Sequence, residues 1–449
     1  MKRRDFISTT MNGALGISLG ASVLTKASFQ QGANDKIVLA LIGAGGRGRT
    51  VTFRTCKLNE NVELKTICDC NSEVGTQATL QAEKELGYKP QYVKEMKAVF
   101  DDKDIDAVVI ATPEHWHSPA AILALQAGKD VYVEKNISLN IWEGRKLVEA
   151  VKKYNRILQV GTQCRSGAWV WGARDYIKSG KLGNIVHVQC YCELPKKGDE
   201  KDIPRTVIPI PKELDWDAWC GPRPLRPYTG MRNWYELYDF SGGLLADDGS
   251  HVLDVARLAL GDPPHPKSVY AWGGNYALGS KRETPEVYDI TYDFGNYTLT
   301  MDGGAATDYM IKVPQDIRMD PTRFPNWPLN GTRTEIFGTE GLMYLGRHGG
   351  GWQVVTNDSK VVEQEGGIMP DVVHEKNFID CVRSRKQPNG NVEQGHLSAT
   401  LVHLANIAHR VGNKQLFFDA EKEQFIGNDD ANNLVKYTYR DKYKIPDVV

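Results

Sequence analysis

The stretch KIVLALIGAGGRGRT, residues 36–50, opens with an apolar run of strand length from Lys36 to Ile42 and turns into Gly43, Gly45 and Gly48. The spacing is G-x-G-x-x-G, which by itself is weak, because glycine-rich turns are common. Its meaning comes from its flanks. A helical pattern follows to about Leu58, and VELKTICD (62–69) reads as a second strand ending on Asp69. An acid about 20 residues past the last glycine is where a ribose-binding carboxylate belongs in a dinucleotide-binding unit. The glycines let the backbone approach a pyrophosphate, which rests on the free N–H groups of the helix start. Gly46 and Arg47 belong to the same turn. A carboxylate at Asp69 accepts from the adenosine ribose and repels a 2′-phosphate, so the expected cofactor is NAD, with NADP second.

The rhythm of strand and helix continues outward. DAVVIATP (106–113) reads as a buried strand, followed by helix from about Ser118 to Ala127. DVYVEK (130–135) is the next strand, then helix from about Ile141 to Tyr154, and RILQVGTQ (156–163) is another strand. This alternation predicts a parallel, doubly wound sheet, whose ligands bind at the carboxyl ends of its strands. Thr112, Pro113, His115, His117, Glu134, Lys135 and Gln163 fall at such ends and are expected to converge on the cofactor.

From about Gly161 the pattern changes. NIVHVQCYCEL (184–194) alternates in period two, with Val186, Val188, Cys190, Cys192 and Leu194 on one face. KSVYAWG, VYDITYDF, YTLTMDG and TEIFG follow with short turns. Such a meander predicts a largely antiparallel sheet with one covered face. The fold class is therefore α/β plus α+β: a linker to residue 35, a Rossmann domain over 36–160, and a second domain over 161–449. A long insertion (195–240) carries Trp216, Trp219, Tyr228, Trp234, Tyr235 and Tyr238. Aromatic faces beside polar groups suit a sugar ring, and a loop equally uses them to pack down; Trp234 is the substrate-contact candidate.

Bulk numbers narrow the function classes. At 449 residues, two domains are expected. Lys plus Arg total 55 against 56 acids, so no global field favours nucleic acid or an anionic membrane. Arg3, Arg4, Asp5, Phe6 and Ile7, followed by a small-residue apolar stretch, resemble a twin-arginine export signal and predict a periplasmic protein. The stretch is too short and Gly/Ser-rich to span a bilayer. Eight cysteines in two C-x-C pairs and singles lack zinc-site spacing and read as buried free thiols. A metal site built from His115, His117 and His251 has poor support, so no metal is expected.

SGGLLADDGSHVLDVARLALG (241–261) carries the remaining chemistry. If its helix begins before Asp247, then Asp247 and His251 stand at i and i+4 on one face. A carboxylate beside an imidazole orients the ring and supports its protonated form, as a general base requires. These motifs, with ATPEHWHSPAAILALQAGKDVYVEK, VGTQCRS and the closing HEKNFIDCVRSRKQPNG, resemble the Gfo/Idh/MocA family of sugar and cyclitol oxidoreductases. The resemblance implies a hydride transfer between NAD and a secondary hydroxyl. It implies a homo-oligomer too. Lys135 matches the lysine of the family's Glu-Lys-Pro motif, which contacts substrate and nicotinamide ribose. Asp247 and His251 match its Asp-x-x-x-His pair, with His251 the acid/base; His117 matches a loop histidine, and Arg165 faces the substrate. Asn136 is the departure: it restores a backbone donor and lifts the restriction that proline would place on Lys135. A glycosidase working by transient oxidation would use the same residues; the other rival, a non-catalytic NAD-binding sensor, needs none of Lys135, Asp247 and His251 together.

Overall fold

The computed structural model describes residues 36–195, 206–230, 234–277, 282–447 and 449; the twin-arginine segment lies outside them. Six parallel strands form the first sheet: β1 (Ile37–Ile42), β2 (Val62–Cys68), β3 (Gln91–Val93), β4 (Ala107–Ile110), β5 (Asp130–Val133) and β6 (Leu158–Val160). Their order is β3-β2-β1-β4-β5-β6. The order reverses between β1 and β4, which opens a crevice at their carboxyl ends. Helices α1 (Gly46–Leu58), α2 (Ser72–Leu86), α3 (Met96–Asp101), α4 (His117–Gln126) and α5 (Ile141–Tyr154) make the crossovers. β1 is apolar throughout because both sheet faces are covered: Ile37, Leu39, Ala40 and Leu41 are fully buried. Each such aliphatic side chain contributes roughly 1.5–3 kcal/mol by leaving water. Local signals set the helix ends. Asn71 caps α2 by accepting from Glu73 and Val74 N–H, and Asn140 caps α5 through Glu143 N–H.

Helix α6 (Ala168–Lys178) leads into the second sheet, built from β7 (Ile185–Pro195), β8 (Ser268–Gly274), β9 (Val287–Asp293), β10 (Thr298–Thr307), β11 (Arg333–Gly338), β12 (Leu342–Gly346), β13 (Trp352–Val355), β14 (Val361–Glu365), β15 (Leu416–Asp419) and β16 (Gln424–Phe425). The order is β14-β13-β12-β11-β7-β10-β9-β8-β15-β16, antiparallel except where β7 lies parallel to β10. Val188, Cys190 and Cys192 of β7 turn inward and are fully buried, as their alternation predicts, whereas Val186 at the strand's start is exposed. All eight cysteines are free thiols. α7 (Trp216–Cys220) lies in the insertion, α8 (Ser250–Ala259) packs on the covered face of the sheet, and α9 (Gln315–Arg318) follows β10.

The two units are not consecutive in their cores. α10 (Asp371–Ser384) places Phe378, Ile379 and Val382 against Leu39, Leu41 and Tyr132 of the first sheet. α11 (Val392–Arg410) packs Val392 and Ala399 against its other face. Arg54 of α1 meets Glu375 at 2.6 Å, and Arg145 of α5 shares Glu423 with His396 of α11. Residues far beyond the nominal boundary at 160 thus finish the nucleotide domain and hold the second sheet over its crevice. No helix among the described residues is long and apolar enough to cross a membrane.

Candidate active site

The glycine turn is built for a phosphate. Gly43 has φ +88°, and a Cβ there would lie 2.7 Å from the Ala111 carbonyl, so the turn closes against the end of β4. α1 starts at Gly46 with Gly45 as its cap, no side-chain cap bond and no acid in the first turn. Its first N–H groups are left for a ligand. A Cβ added at Gly45 or Gly46 would meet nothing within 4 Å, which leaves an open cradle on that side. Asp69 accepts from Ala44 N–H and from Asn71 N–H, both at 2.8 Å, and so is fixed beside the turn. Arg47 donates from Nε to Glu134 at 2.8 Å and braces the turn against the end of β5. Thr112 Oγ1, next to Gly43, is buried without a hydrogen-bond partner among the described residues. This donor set fits NAD, with pyrophosphate on α1 and the adenosine ribose at Asp69. The insertion runs over the ribose end: Ser72 N–H donates to Glu213 carbonyl at 2.9 Å, and Asp215 N–H to Cys70 carbonyl at 3.1 Å.

The reacting end lies where β5 faces the segment before α8. Lys135 Nζ sits 2.7 Å from Asp247 Oδ1 and 2.9 Å from its carbonyl. Burial works against the ammonium, but Asp247 and Glu114 more than offset it and hold its pKa above the ordinary lysine value. The Lys135–Asn136 peptide is cis, and the Asn136 carbonyl accepts from His117 Nδ1 at 2.7 Å. His251 is buried and its pKa lies well below the usual value, first through burial and then through the cations Arg347 and Lys135. This corrects the expected carboxylate–imidazole pair. Helix begins at Gly243, before Asp247 as expected, passes through a π turn at Leu245–Gly249, and continues as α8 from Ser250. Helical spacing alone does not pair them: among the described residues no hydrogen bond joins Asp247 to His251, and the Asp247 carboxylate is taken by Lys135 at 2.7 Å. Asp247 serves Lys135 instead, and His251 is held neutral.

Sequence reasoning missed Glu114. Buried beside Lys135, it accepts from Gly242 N–H at 3.0 Å, and burial pushes its carboxyl up to about 7. The available signal was an acid inside a strand-end loop, at ATPEHWH.

Other expected contacts resolve differently. His117 sets its ring between two carbonyls, Asn136 at 2.7 Å and Thr112 at 2.8 Å; a neutral ring has one N–H and donates to only one of them, so it stands as a spacer between the Thr112–Pro113 loop and the lysine turn. His115 is fully buried, bonded to the Trp219 carbonyl at 2.8 Å and packed on Trp219 and Phe240; burial lowers its pKa to about 3. It anchors the insertion through Trp219. Pro113 starts the one-turn helix Glu114–Trp116. Gln163 donates to Tyr132 Oη at 3.2 Å beneath the cleft. Trp234 lines a cavity of about 360 Å³ with Trp216, Trp219 and Arg226, while the stacked Trp216–Trp219 pair is itself buried. The packing reading of the aromatic insertion thus holds for Trp216 and Trp219.

Arg165 is the clearest correction. It is 1% exposed, with Nε on Asp254 at 2.8 Å and Nη2 on Asp262 at 2.9 Å. It knits α6 to α8 and does not face the substrate. Removing one partner from a buried ion pair typically costs about 3–5 kcal/mol, because the other charge is left uncompensated. We expect Arg165→Met to lower the free energy of unfolding by an amount of that order, while KM of the folded fraction stays unchanged; equilibrium unfolding beside steady-state kinetics checks both.

Two family models match this chain. Residues 37–162 match the Gfo/Idh/MocA oxidoreductase family's NAD-binding Rossmann fold, and residues 198–272 with 340–445 match its C-terminal alpha/beta domain. The chain belongs to the Gfo/Idh/MocA oxidoreductase family. Among curated relatives, scyllo-inositol 2-dehydrogenase (NAD(+)) of Bacillus subtilis is 26% identical over 322 residues, 69% of this chain and 76% of its own. Levoglucosan dehydrogenase of Pseudarthrobacter phenanthrenivorans is 28% identical over 228 residues, but this spans only 49% of this chain and 50% of that protein. A glycosyl hydrolase family 109 protein of Shewanella sp. is 29% identical over 157 residues, 34% of each chain. The WlbA dehydrogenase of Bordetella pertussis, solved with NADH and UDP-GlcNAcA, shares the fold with TM-score 0.62 at 20% identity, covering 86% of this chain and 98% of that one. In this Gfo/Idh/MocA chain the family's glycine turn, lysine and aspartate meet at one crevice, with His251 one turn further along.

Proposed function

We propose that this protein is an NAD-dependent dehydrogenase acting on a secondary hydroxyl of a sugar, glycoside or cyclitol. The observation that carries the reading is the Lys135 ammonium, held 2.7 Å from Asp247 beside a neutral His251 and the dinucleotide cradle. Bound NAD supplies the hydride acceptor; the rest is this chain's chemistry. A neutral imidazole can take the hydroxyl proton, which a protonated one cannot. The Lys135 ammonium stabilises the developing alkoxide. Glu114, near the middle of the working pH range, can pass a proton between Lys135 and water. Such a site is expected to assemble as a homo-oligomer, with a small carbohydrate or polyol as its partner.

Export favours a retained cofactor. A twin-arginine signal beside a dinucleotide cradle implies loading before secretion, because the periplasm has no nicotinamide pool, and the insertion across Asp69–Ser72 is placed to slow release. NAD is then recycled by a second substrate at the same site. The test is to purify the protein without added nucleotide, record the absorbance and mass of what denaturation releases, and assay sugars and aryl glycosides for bound-cofactor reduction and aglycone release. We expect stoichiometric NAD(H) and substrate-driven reduction without aglycone. An empty pocket defeats the retention. Aglycone release without net reduction favours the glycosidase reading, for which the family 109 relatives are the specific support. Binding of nucleotide with neither activity leaves the sensor.

A further inference from the structure

Around His251 the cations divide into two kinds. Lys135 has Asp247 at 2.7 Å, Arg47 has Glu134 at 2.8 Å, and Lys312 is bonded to Asp248 Oδ2. Arg318 enters no salt bridge among the described residues, and Arg347 has only a long one, to the Asp248 that Lys312 already holds. Arg347 is 5% exposed, yet the nearest carboxylate oxygen, Asp248 Oδ1, is 4.0 Å from its Nη2, beyond hydrogen-bond reach. Among the described residues its buried Nε has no partner, and its Nη1 has only the Met369 sulfur at 3.6 Å. Arg318, half-buried, gives Nε to the Val313 carbonyl at 2.6 Å and enters no salt bridge among the described residues. Both arginines meet Met369, whose N–H donates to the Arg318 carbonyl at 3.0 Å and whose sulfur lies 3.6 Å from Arg347 Nη1, and the second cation lowers the pKa of Arg318.

A buried guanidinium with unsatisfied donors beside a second cation is costly unless an anion joins it. The placement is built into the backbone. Gly349, Gly350 and Gly351 all have positive φ and return the chain tightly after β12, while the Arg347 carbonyl accepts from Cys164 Sγ at 3.0 Å, directly after Gln163 at the end of β6. His348 is locked alongside through Thr332 at 2.9 Å.

We propose that Arg347, with Arg318, forms an anion subsite beside His251, and that the substrate is a sugar bearing a carboxylate or phosphate group. This deepens the dehydrogenase reading and rests on it for the word substrate, but binding alone tests the subsite. The experiment titrates the NAD-loaded protein with matched pairs, glucose against glucuronate and galactose against galacturonate, with glucose 6-phosphate as the phosphate arm. Binding is followed by calorimetry and reduction by cofactor absorbance. We expect the better acidic sugar to bind at least about tenfold more tightly than its neutral parent, a step of roughly 1.4 kcal/mol. Arg347→Met should bring that ratio near one. Arg347→Lys, which keeps the charge and loses the planar fork, should recover part of it. A carboxylate preference over the phosphate, or the reverse, identifies the group. Equal affinity of acidic and neutral members in every pair, with no advantage for the phosphate, overturns the proposal, as does an undiminished ratio in Arg347→Met. Acidic sugars that bind tightly without reducing the cofactor would leave the subsite standing and sink the dehydrogenase reading instead.

Discussion

Lys135→Met is expected to reduce the rate of bound-cofactor reduction by about a thousandfold while NAD stays in place. Methionine keeps the length and volume of the stem, so the loss is that of the ammonium. That ammonium opposes the charge that develops when the hydroxyl proton leaves, in a site shielded from water, where removing a single such donor costs about 10²–10³ in turnover. Lys135 also delivers a proton path to Glu114, and general acid–base contributions of about 10²–10⁴ overlap with the first effect without adding to it fully. Cofactor retention should survive, because the pyrophosphate cradle is made by Gly45, Gly46 and the start of α1, with Arg47 braced by Glu134. Single-turnover absorbance, with the nucleotide content of the purified variant measured alongside, checks both halves. A rate within tenfold of wild type would remove Lys135 from the chemistry.

The second large effect concerns His251 and pH. His251→Ala should lower turnover by about 10²–10³, the usual range for a positioned base. Because burial and the neighbouring cations Arg347 and Lys135 hold its pKa well below the ordinary value, the imidazole is already neutral at pH 6.5. The wild-type acid limb from His251 should therefore lie well below that pH. A separate step near pH 7 is expected from Glu114, whose buried carboxyl gives up its proton there. The sign follows from the shift. A carboxyl with a raised folded-state pKa binds more protons folded than unfolded between its ordinary value and about 7. Stability therefore falls as pH rises through that window, by at most roughly 3 kcal/mol. Activity that uses the carboxylate as proton acceptor rises through the same pH. Glu114→Gln should abolish the rise near pH 7 and flatten the stability profile, and parallel pH–rate and pH–unfolding series would show it. An unchanged rise in Glu114→Gln assigns the step elsewhere.

Much of this was readable in the residues. The apolar run before Gly43, the acid at Asp69 and the alternation of strand and helix specify the first sheet, because covered parallel strands must be apolar and a phosphate turn must be glycine. Helix α5 falls at Ile141–Tyr154, where its periodicity placed it. The readings that moved share a cause. Asp247 and His251 were read from helical spacing, but Asp247 spends its carboxylate on Lys135, which lies 112 residues earlier at a strand end. Arg165 was legible as a charge near a strand end, but its owners, Asp254 and Asp262, stand some 90 residues away on another helix. Glu114 looked like an ordinary loop acid until burial beside Lys135 set its pKa.

The sequence by itself determined the family, the sheet that carries the nucleotide cradle, and the residue types available for hydride chemistry. These rest on local patterns, in which a turn, a strand period or a glycine acts within a few residues. The tertiary structure alone decided which charges are spent on one another and which are left over. Lys135 belongs to Asp247, Arg165 to Asp254, and Arg347 has no carboxylate within hydrogen-bond reach. Pairing and burial are set by segments that meet only when α8, the β12 turn and α10 close over the crevice, and no local pattern encodes those meetings.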